Sequence, residues 1–337
     1  MLRITEQIVR EYISKSKGKL IAVIGDVMLD RYFWGSVSRV SPEAPVPVID
    51  LERETYHLGG AANVANNLKS LGVEPLLCGL VGNDESGEIF RRIATENGIR
   101  TEGLYQDNNR PTTVKTRIIG NNQHIARLDR EITDTMTPGS HDYIYNIIQS
   151  HKDLAGIIFQ DYNKGALTED LIREVTDLAL TNEIPIFVDP KFRNFFSFLH
   201  STVFKPNKKE ASTALNMNIN SKERIIEAGK KLLDELKCQN VLLTLGADGM
   251  MLFESNGDIF SVPTRARKVS DVSGAGDTTI ATLAAVISGG ASVVEAASIA
   301  NFAAGVVCEE PGIVSITEEN LIRSIKYYID NGEQNEL

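Results

Sequence analysis

The chain has 337 residues, 42% of them apolar and 24% charged, which is enough apolar material for a packed interior and sets disorder aside. A formal charge of −10 argues against general binding to nucleic acid or an anionic membrane, while a nucleotide held by a few local lysines and N–H donors stays open. Cys78, Cys238 and Cys308 lie far apart, without CxxC or Cys/His spacing, so buried free thiols in a reducing cytoplasm are expected and a zinc site is not.

Met1 to Lys19 is charged and lacks a long apolar segment, so no signal peptide is expected, and no run approaches the ~18 apolar residues of a membrane span. Leu20 to Ile24 reads as a buried parallel strand ending at Gly25 and Asp26, with Asp30 just beyond. Ligands of open α/β sheets bind past such strand ends, so Asp26 and Asp30 are candidates for accepting sugar hydroxyls. The plainer reading makes Asp26 a turn cap and Asp30 a solvated loop acid. Arg31 to Asp50 carries prolines at 42, 45 and 47, which disfavour a helix and fit an edge strand. Thr112 to Ile119 alternates polar and apolar residues, and Gln123 to Leu128 partly continues it. These segments are expected to form a small β lid, over about residues 31–55 and 105–130 of one domain spanning 1–337. Lys115, Arg117 and Arg127 would face a substrate phosphate there, unless they are ordinary solvated charges.

Between the lid segments, Gly59-Gly60-Ala-Ala-Asn63 opens a helical spacing that runs to Leu71, with Asn63 in the first turn. Small residues there allow either a ligand's approach or close helix–sheet packing. Pro75 to Val81 reads as a strand, Glu85 to Asn97 and Met136 to Ser150 as helices, and Gly156 to Gln160 as a strand before Asp161-Tyr-Asn-Lys164-Gly165. A helix from Thr168 to Thr181 precedes Pro185 to Val188, and strand–helix–strand at this spacing means parallel crossovers. After Val203 to Pro206, Asn207 and Glu210 have capping-box spacing. The functional alternative puts Glu210 near magnesium through water, with Lys208 and Lys209 near nucleotide phosphate. Asn240 to Thr244 is a strand meeting the Gly246/Gly249 turn, which either lines a nucleotide or simply reverses the chain into Met250 to Glu254. Helices over Ala291 to Glu309, containing Asn301, and over Glu318 to Asn331 follow.

Asp271-Val-Ser-Gly274-Ala275-Gly276-Asp277 runs into a helix expected over Thr278 to Ser288. The unpaired N–H groups and positive dipole end of such a turn hold an anion. A carboxylate beside them suits a hydroxyl attacking a phosphoryl group: Gly274, Ala275 and Gly276 form the anion hole and Asp277 takes the proton. The helix start should favour the carboxylate and keep its basicity modest. The competing reading is a helix with Asp277 as its N-cap. No GxGxxG follows the first strand and no GxxxxGK[ST] occurs, which disfavours a nicotinamide oxidoreductase and a P-loop enzyme.

Gly59 to Leu71 and Asp271 to Thr282 resemble, in order, the two signatures of the ribokinase-like (PfkB) carbohydrate kinases. Asp189-Pro190, Pro206-Asn207-x-x-Glu210 and Thr244-x-Gly246-x-x-Gly249 match lesser landmarks between them, so the resemblance covers Leu20 to about Ile316. It implies a three-layer α/β fold, a mostly parallel central sheet with helices on both faces and a small β lid. It also implies ATP and magnesium, a possible monovalent cation, and a homodimer through the lid. Asp277 is then the base. Asp26, Asp30, Gly59, Gly60 and Asn63 hold the sugar, with Lys164, Arg117 and Arg127 on its phosphate. Asn207, Lys208, Lys209, Glu210, Thr244, Gly246, Gly249 and Asn301 serve the nucleotide, and Glu210 with Asn207 the water-held metal. Gly25 to Tyr32, Ser38 to Val48, Asp161-Tyr-x-Lys164-Gly165 and Asp189-Pro-Lys191 are similar to the branch that phosphorylates the 1-hydroxyl of D-glycero-β-D-manno-heptose 7-phosphate for ADP-heptose. Some relatives in that branch carry a fused adenylyltransferase. With no HxGH motif in this sequence, a separate adenylyltransferase is expected. A kinase of another sugar, or a non-catalytic sugar sensor on the same fold, are the alternatives.

Overall fold

The computed structural model describes residues 4–266, 270–310 and 312–330. The strands are β1 (Leu20–Gly25), β2 (Val27–Val40), β3 (Pro47–Gly60), β4 (Glu74–Gly82), β5 (Arg100–Asp107), β6 (Val114–Gly120), β7 (Gln123–Arg130), β8 (Leu154–Gln160), β9 (Ile186–Asp189), β10 (Val203–Phe204), β11 (Asn240–Thr244), β12 (Met250–Glu254) and β13 (Ile259–Val262). The helices are α1 (Glu6–Ser16), α2 (Ala61–Ser70), α3 (Glu85–Glu96), α4 (Pro138–Ser150), α5 (Glu169–Thr181), α6 (Lys208–Ala214), α7 (Lys222–Leu236), α8 (Ala275–Ser288), α9 (Val293–Glu309) and α10 (Glu318–Asp330). Asn331, expected as the last residue of α10, and Met1 to Arg3 of the charged N-terminal stretch lie outside the described residues.

Nine strands form the main sheet in the order β13-β12-β11-β10-β9-β8-β1-β4-β5. Pairing is parallel from β5 through β11 and antiparallel only at the β11–β12–β13 edge. The continuous apolar runs of β1, β8 and β11 are buried on both faces, as a covered parallel sheet requires. In β1, Ile21 and Val23 join the core under α1, α2, α8, α9 and α10, while Leu20, Ala22 and Ile24 join the core under α4, α5 and α7. This period-two division of side chains makes three layers: helices, sheet, helices.

A second sheet, β3-β2-β6-β7, is the expected lid. Its strands are longer than anticipated, since β2 begins at Val27 and β3 ends at Gly60, which puts Asp30 and Gly59 on lid strands. Residues 105–107, expected in the lid, belong instead to edge strand β5 of the main sheet. Pro47 opens β3, an edge strand, where its missing N–H removes no ladder bond. Helices α1 and α7 and strands β5 and β13 were not anticipated. Helix α8 starts at Ala275, earlier than the Thr278 expected. Among the described residues no helix is long and apolar enough to cross a membrane.

Candidate active site

The chain runs from β1 outward through β4 to β5, then returns to lay β8, β9, β10 and β11 on the other side of β1. The strand order therefore reverses between β1 and β8, and the crevice past their carboxyl ends is the place where such sheets bind ligands. Asp26 follows β1, Gln160 ends β8 and Asp189 ends β9. All three are buried.

Two helices aim side chains at this crevice. Gly60, at φ 60°, caps α2, and a Cβ there would come within 2.3 Å of the Asp26 carbonyl oxygen, so only glycine lets the lid strand turn into the helix so close to β1. Asn63, in the first turn of α2, donates from Nδ2 to Asp277 Oδ2 at 2.8 Å. Asn67, one turn later, fixes the relative position of the two helices. Its Nδ2 donates to the Asn63 carbonyl at 2.9 Å, and its Oδ1 accepts from Thr278 Oγ1 at 3.1 Å and from the Ile316 N–H at 3.0 Å.

Helix α8 has Gly274 as its N-cap, in the left-handed region at φ 81°, and no side chain caps it. The reading of Asp277 as N-cap is thus corrected: Asp277 is the third helical residue and its carboxylate points into the crevice. The first α-helical bond is made by the Thr278 N–H to the Gly274 carbonyl at 2.9 Å, so the Gly276 and Asp277 amides precede it. Among the described residues these two amides have no partner and can donate to an anion, whereas the Ala275 N–H, expected with Gly274 and Gly276 in the anion hole, is bonded to the Val272 carbonyl at 3.3 Å. A Cβ on Gly276 would lie 3.6 Å from both Lys205 Nζ and Asp189 Oδ2, which places a buried ion pair (3.0 Å) beside these amides.

Asp277 Oδ1 accepts from Gln160 Nε2 at 2.9 Å and from Tyr162 Oη at 2.8 Å. Burial pushes its carboxyl up to about 6; Asp189 adds to the rise, while the Asn63 and Tyr162 hydrogen bonds and Lys205 oppose it. The modest basicity expected from the helix start is therefore corrected, because desolvation outweighs the favourable field of the helix end. Burial likewise pushes Asp161 up to about 6, with the Asp26 charge second.

The sequence-derived site residues separate into three groups. Asn63 meets Asp277, Gly60 starts the helix that carries Asn63, and Gly59 packs on Asp30: a Cβ on Gly59 would collide with Asp30 Oδ2 at 2.1 Å, and Asp30 pairs with Arg117. Asp26, expected to hold sugar, instead uses its carboxylate on the backbone N–H groups of Tyr162, Lys164 and Ala166 at 2.7, 2.9 and 3.0 Å. It pins the loop after β8, close to the turn-capping alternative. The phosphate candidates are engaged within the protein: Arg117 with Asp30, Arg127 with Asp129 at 2.9 Å, and Lys164 with Glu131 at 2.6 Å. Lys115 has no ion-pair partner among the described residues, and its Nζ sits 5.5 Å from the centre of the Tyr162 ring.

On the other side of the α8 turn lies a pocket of about 290 Å³. Ala275 and Gly276 form one wall, Thr244, Gly246 and Gly249 another, and Asn301 with Cys308 a third. Asn207, Lys208, Lys209 and Glu210 do not line it. Asn207 and Glu210 make the reciprocal capping box of α6, at 2.9 and 2.8 Å, and the other Glu210 oxygen pairs with Lys191. Both Glu210 oxygens are thus engaged, and among the described residues no cluster of three or more His, Cys, Asp or Glu could hold a metal. Direct protein ligation of a metal does not fit these residues. Gln160, Tyr162 and Lys205 were missed in the sequence. The Asp-Tyr-x-Lys-Gly run marked the loop, but nothing local showed that a tyrosine there reaches α8.

A profile of the pfkB family carbohydrate kinases matches residues 19–320. The chain belongs to that family. It is 39% identical over 312 residues to the bifunctional protein HldE of Geobacter sulfurreducens, covering 92% of this chain and 64% of that one. It is also 39% identical to HldE of Helicobacter hepaticus, covering 95% and 66%. The chain thus spans under two thirds of the length of either relative. Among solved structures the fold is shared with Arabidopsis thaliana ribokinase complexed with ribose and ATP, at TM-score 0.72, 19% identity and coverage of 92% and 99%. It is shared too with Escherichia coli phosphofructokinase-2 in complex with potassium, at TM-score 0.75, 14% identity and the same coverage. The ribokinase-like fold expected from the sequence is therefore the fold of this family member.

Proposed function

We propose that the chain transfers the γ-phosphoryl group of ATP to the 1-hydroxyl of D-glycero-β-D-manno-heptose 7-phosphate, giving the 1,7-bisphosphate from which ADP-heptose, a lipopolysaccharide core precursor, is built. The observation that carries this reading is the 2.8 Å contact between Asn63 of α2 and Asp277 of α8, at a strand-order reversal, with a pocket of about 290 Å³ behind the same α8 turn. ATP in that pocket would present its terminal phosphate to the Gly276 and Asp277 amides. The sugar would lie against Asp30, Gly59 and Asn63, its hydroxyl on Asp277.

The acceptor oxygen bonds to the γ-phosphorus as the β–γ bridge breaks, its proton passes to Asp277, and ADP leaves. Little charge builds on the attacking oxygen in a loose transition state, so orientation by Asp277 matters more than basicity. Magnesium, bound with the nucleotide, would supply charge neutralisation on its phosphates. A monovalent cation is proposed on the likeness to a potassium-bound relative. Lys115, with Lys164, Arg117 and Arg127, is the set from which the 7-phosphate takes its partners; the last three exchange a carboxylate for it. We further place the chain in the cytoplasm, as a homodimer through the lid, where Val40, Leu51 and Leu128 are exposed, with an adenylyltransferase activity as pathway partner.

The test is ADP release with ATP and heptose 7-phosphate beside ribose, fructose 6-phosphate and fructose 1-phosphate. The expected kcat/KM is at least about tenfold higher for the heptose. A higher value for any of the others replaces the substrate, and none with any sugar removes the kinase reading.

A further inference from the structure

In this structure a tyrosine occupies the place where an acceptor is needed. The Asp277 carboxylate accepts from Asn63 on Oδ2 and from Gln160 and Tyr162 on Oδ1, so a hydroxyl that is to bond Oδ1 must displace Gln160 or Tyr162. Asn63 is built into α2 and Gln160 into β8, and both are buried. Tyr162 is half-buried on the loop after β8, and its backbone N–H is held by Asp26 at 2.7 Å, so the loop's position does not depend on the phenol's hydrogen bond. A phenol O–H on a carboxylate is the same contact an attacking alcohol makes. The ring also has two ammonium groups near it, Lys115 Nζ at 5.5 Å and Lys191 Nζ at 5.6 Å from its centre. Lys191 has Glu210 as a partner, whereas Lys115 makes no ion pair among the described residues, rests on the π-face and feels the carboxylates of Asp30, Asp129 and Glu131 only from farther off.

We propose that Tyr162 is an acceptor stand-in: its phenol covers Asp277 until a sugar hydroxyl replaces it, and the exchange favours sugars carrying an anionic group, which draws Lys115 off the ring. The inference rests on the kinase reading above and deepens it. It assigns a positioning and specificity role to a residue that need not touch the transferred phosphoryl group. While the phenol is seated, water cannot take the acceptor's place on Asp277. With it gone, water can attack the γ-phosphorus, the β–γ bond breaks, the proton goes to Asp277 and then to solvent, and ADP and phosphate leave.

The experiment compares the unaltered chain with Tyr162→Phe, and with Tyr162→Leu as a second variant should the first fold poorly. ADP release with ATP and no sugar is measured, then kcat/KM for one sugar with and without its phosphate. Expected is a rise of about tenfold in sugar-free ADP release and a similar fall in the preference for the phosphorylated sugar. A merely structural tyrosine would lower both activities together and leave their ratios unmoved. Unchanged or lower sugar-free release, in whichever variant melts within a few degrees of the unaltered chain, overturns the proposal. The sugar-free measurement assumes nothing about which sugar is used. A failed heptose assay with raised hydrolysis would therefore discard the substrate and keep the tyrosine's role.

Discussion

Asp277 combines two demands that pull against each other. It must be ionised to take a proton, yet it is buried, and burial raises it to about 6. At neutral pH it is mostly charged and still more basic than an exposed aspartate. If it is the base, kcat/KM falls about tenfold per unit as pH drops below about 6, and a profile flat down to pH 5 would remove it from that role. Asp277→Asn is expected to cut turnover by ~10²–10⁴ with ATP and sugar affinities nearly intact, read from steady-state kinetics and calorimetric titration. Near-normal turnover would end the assignment. The same shift has a stability consequence. A carboxyl whose folded value exceeds its unfolded one holds its proton more tightly when folded, so folding loses stability as pH rises from about 4 to about 6. For Asp277 that loss is at most roughly 3 kcal/mol. Relative to the unaltered chain, Asp277→Asn should gain stability by up to that amount between pH 4 and pH 7 in urea unfolding. A relative stability that stays level or falls over that range would contradict the buried-charge account.

The elements explain why a residue can look like a ligand group and act as a fastener. Asp26 sits where the first parallel strand ends, a position that favours ligand contact in α/β sheets. The loop after β8 arrives there first and directs three N–H groups at its carboxylate. Asp26→Ala would leave those donors buried or force the loop to move, at a cost of about 3 kcal/mol or more. It would also shift Tyr162 and Lys164 and so lower turnover. Denaturant midpoints and kinetics on one preparation check both, and a loss under about 1 kcal/mol would mean that the loop is held elsewhere. The α6 capping box was visible in the spacing of Asn207 and Glu210 because capping is local, and the structure realises it with both bonds. Helix α8 began earlier than its pattern indicated. Its small first-turn residues carry no apolar periodicity, and what makes them helical is a left-handed Gly274 and packing against α2.

For the whole molecule, the arrangement of sheets separates two tasks. The nine-stranded sheet, with a core on each face, is the rigid platform for Asp26, Gln160 and Asp189. The lid sheet carries Asp30, Gly59 and Arg117 on β2, β3 and β6, with Arg117 paired to Asp30. If the lid's exposed Leu51 and Leu128 pack against a second copy, sedimentation should give a dimer at micromolar concentration, and Leu51→Glu with Leu128→Glu a monomer. A monomer from the unaltered chain would dismiss that assembly.

By itself the sequence determined the alternation of buried strands and helices, the lid's two-sided strands, and a small-residue turn running into a helix that carries Asp277. Each of these follows from neighbours within a few residues, through side-chain periodicity, glycine's backbone freedom and capping. Only the tertiary structure decided that Asn63 meets Asp277 across 214 residues of chain, that Gln160 and Tyr162 join them, and that Asp26 is committed to a loop. Those facts depend on which strand ends become neighbours when the sheet order reverses, and on how much water is excluded there. Local sequence carries neither.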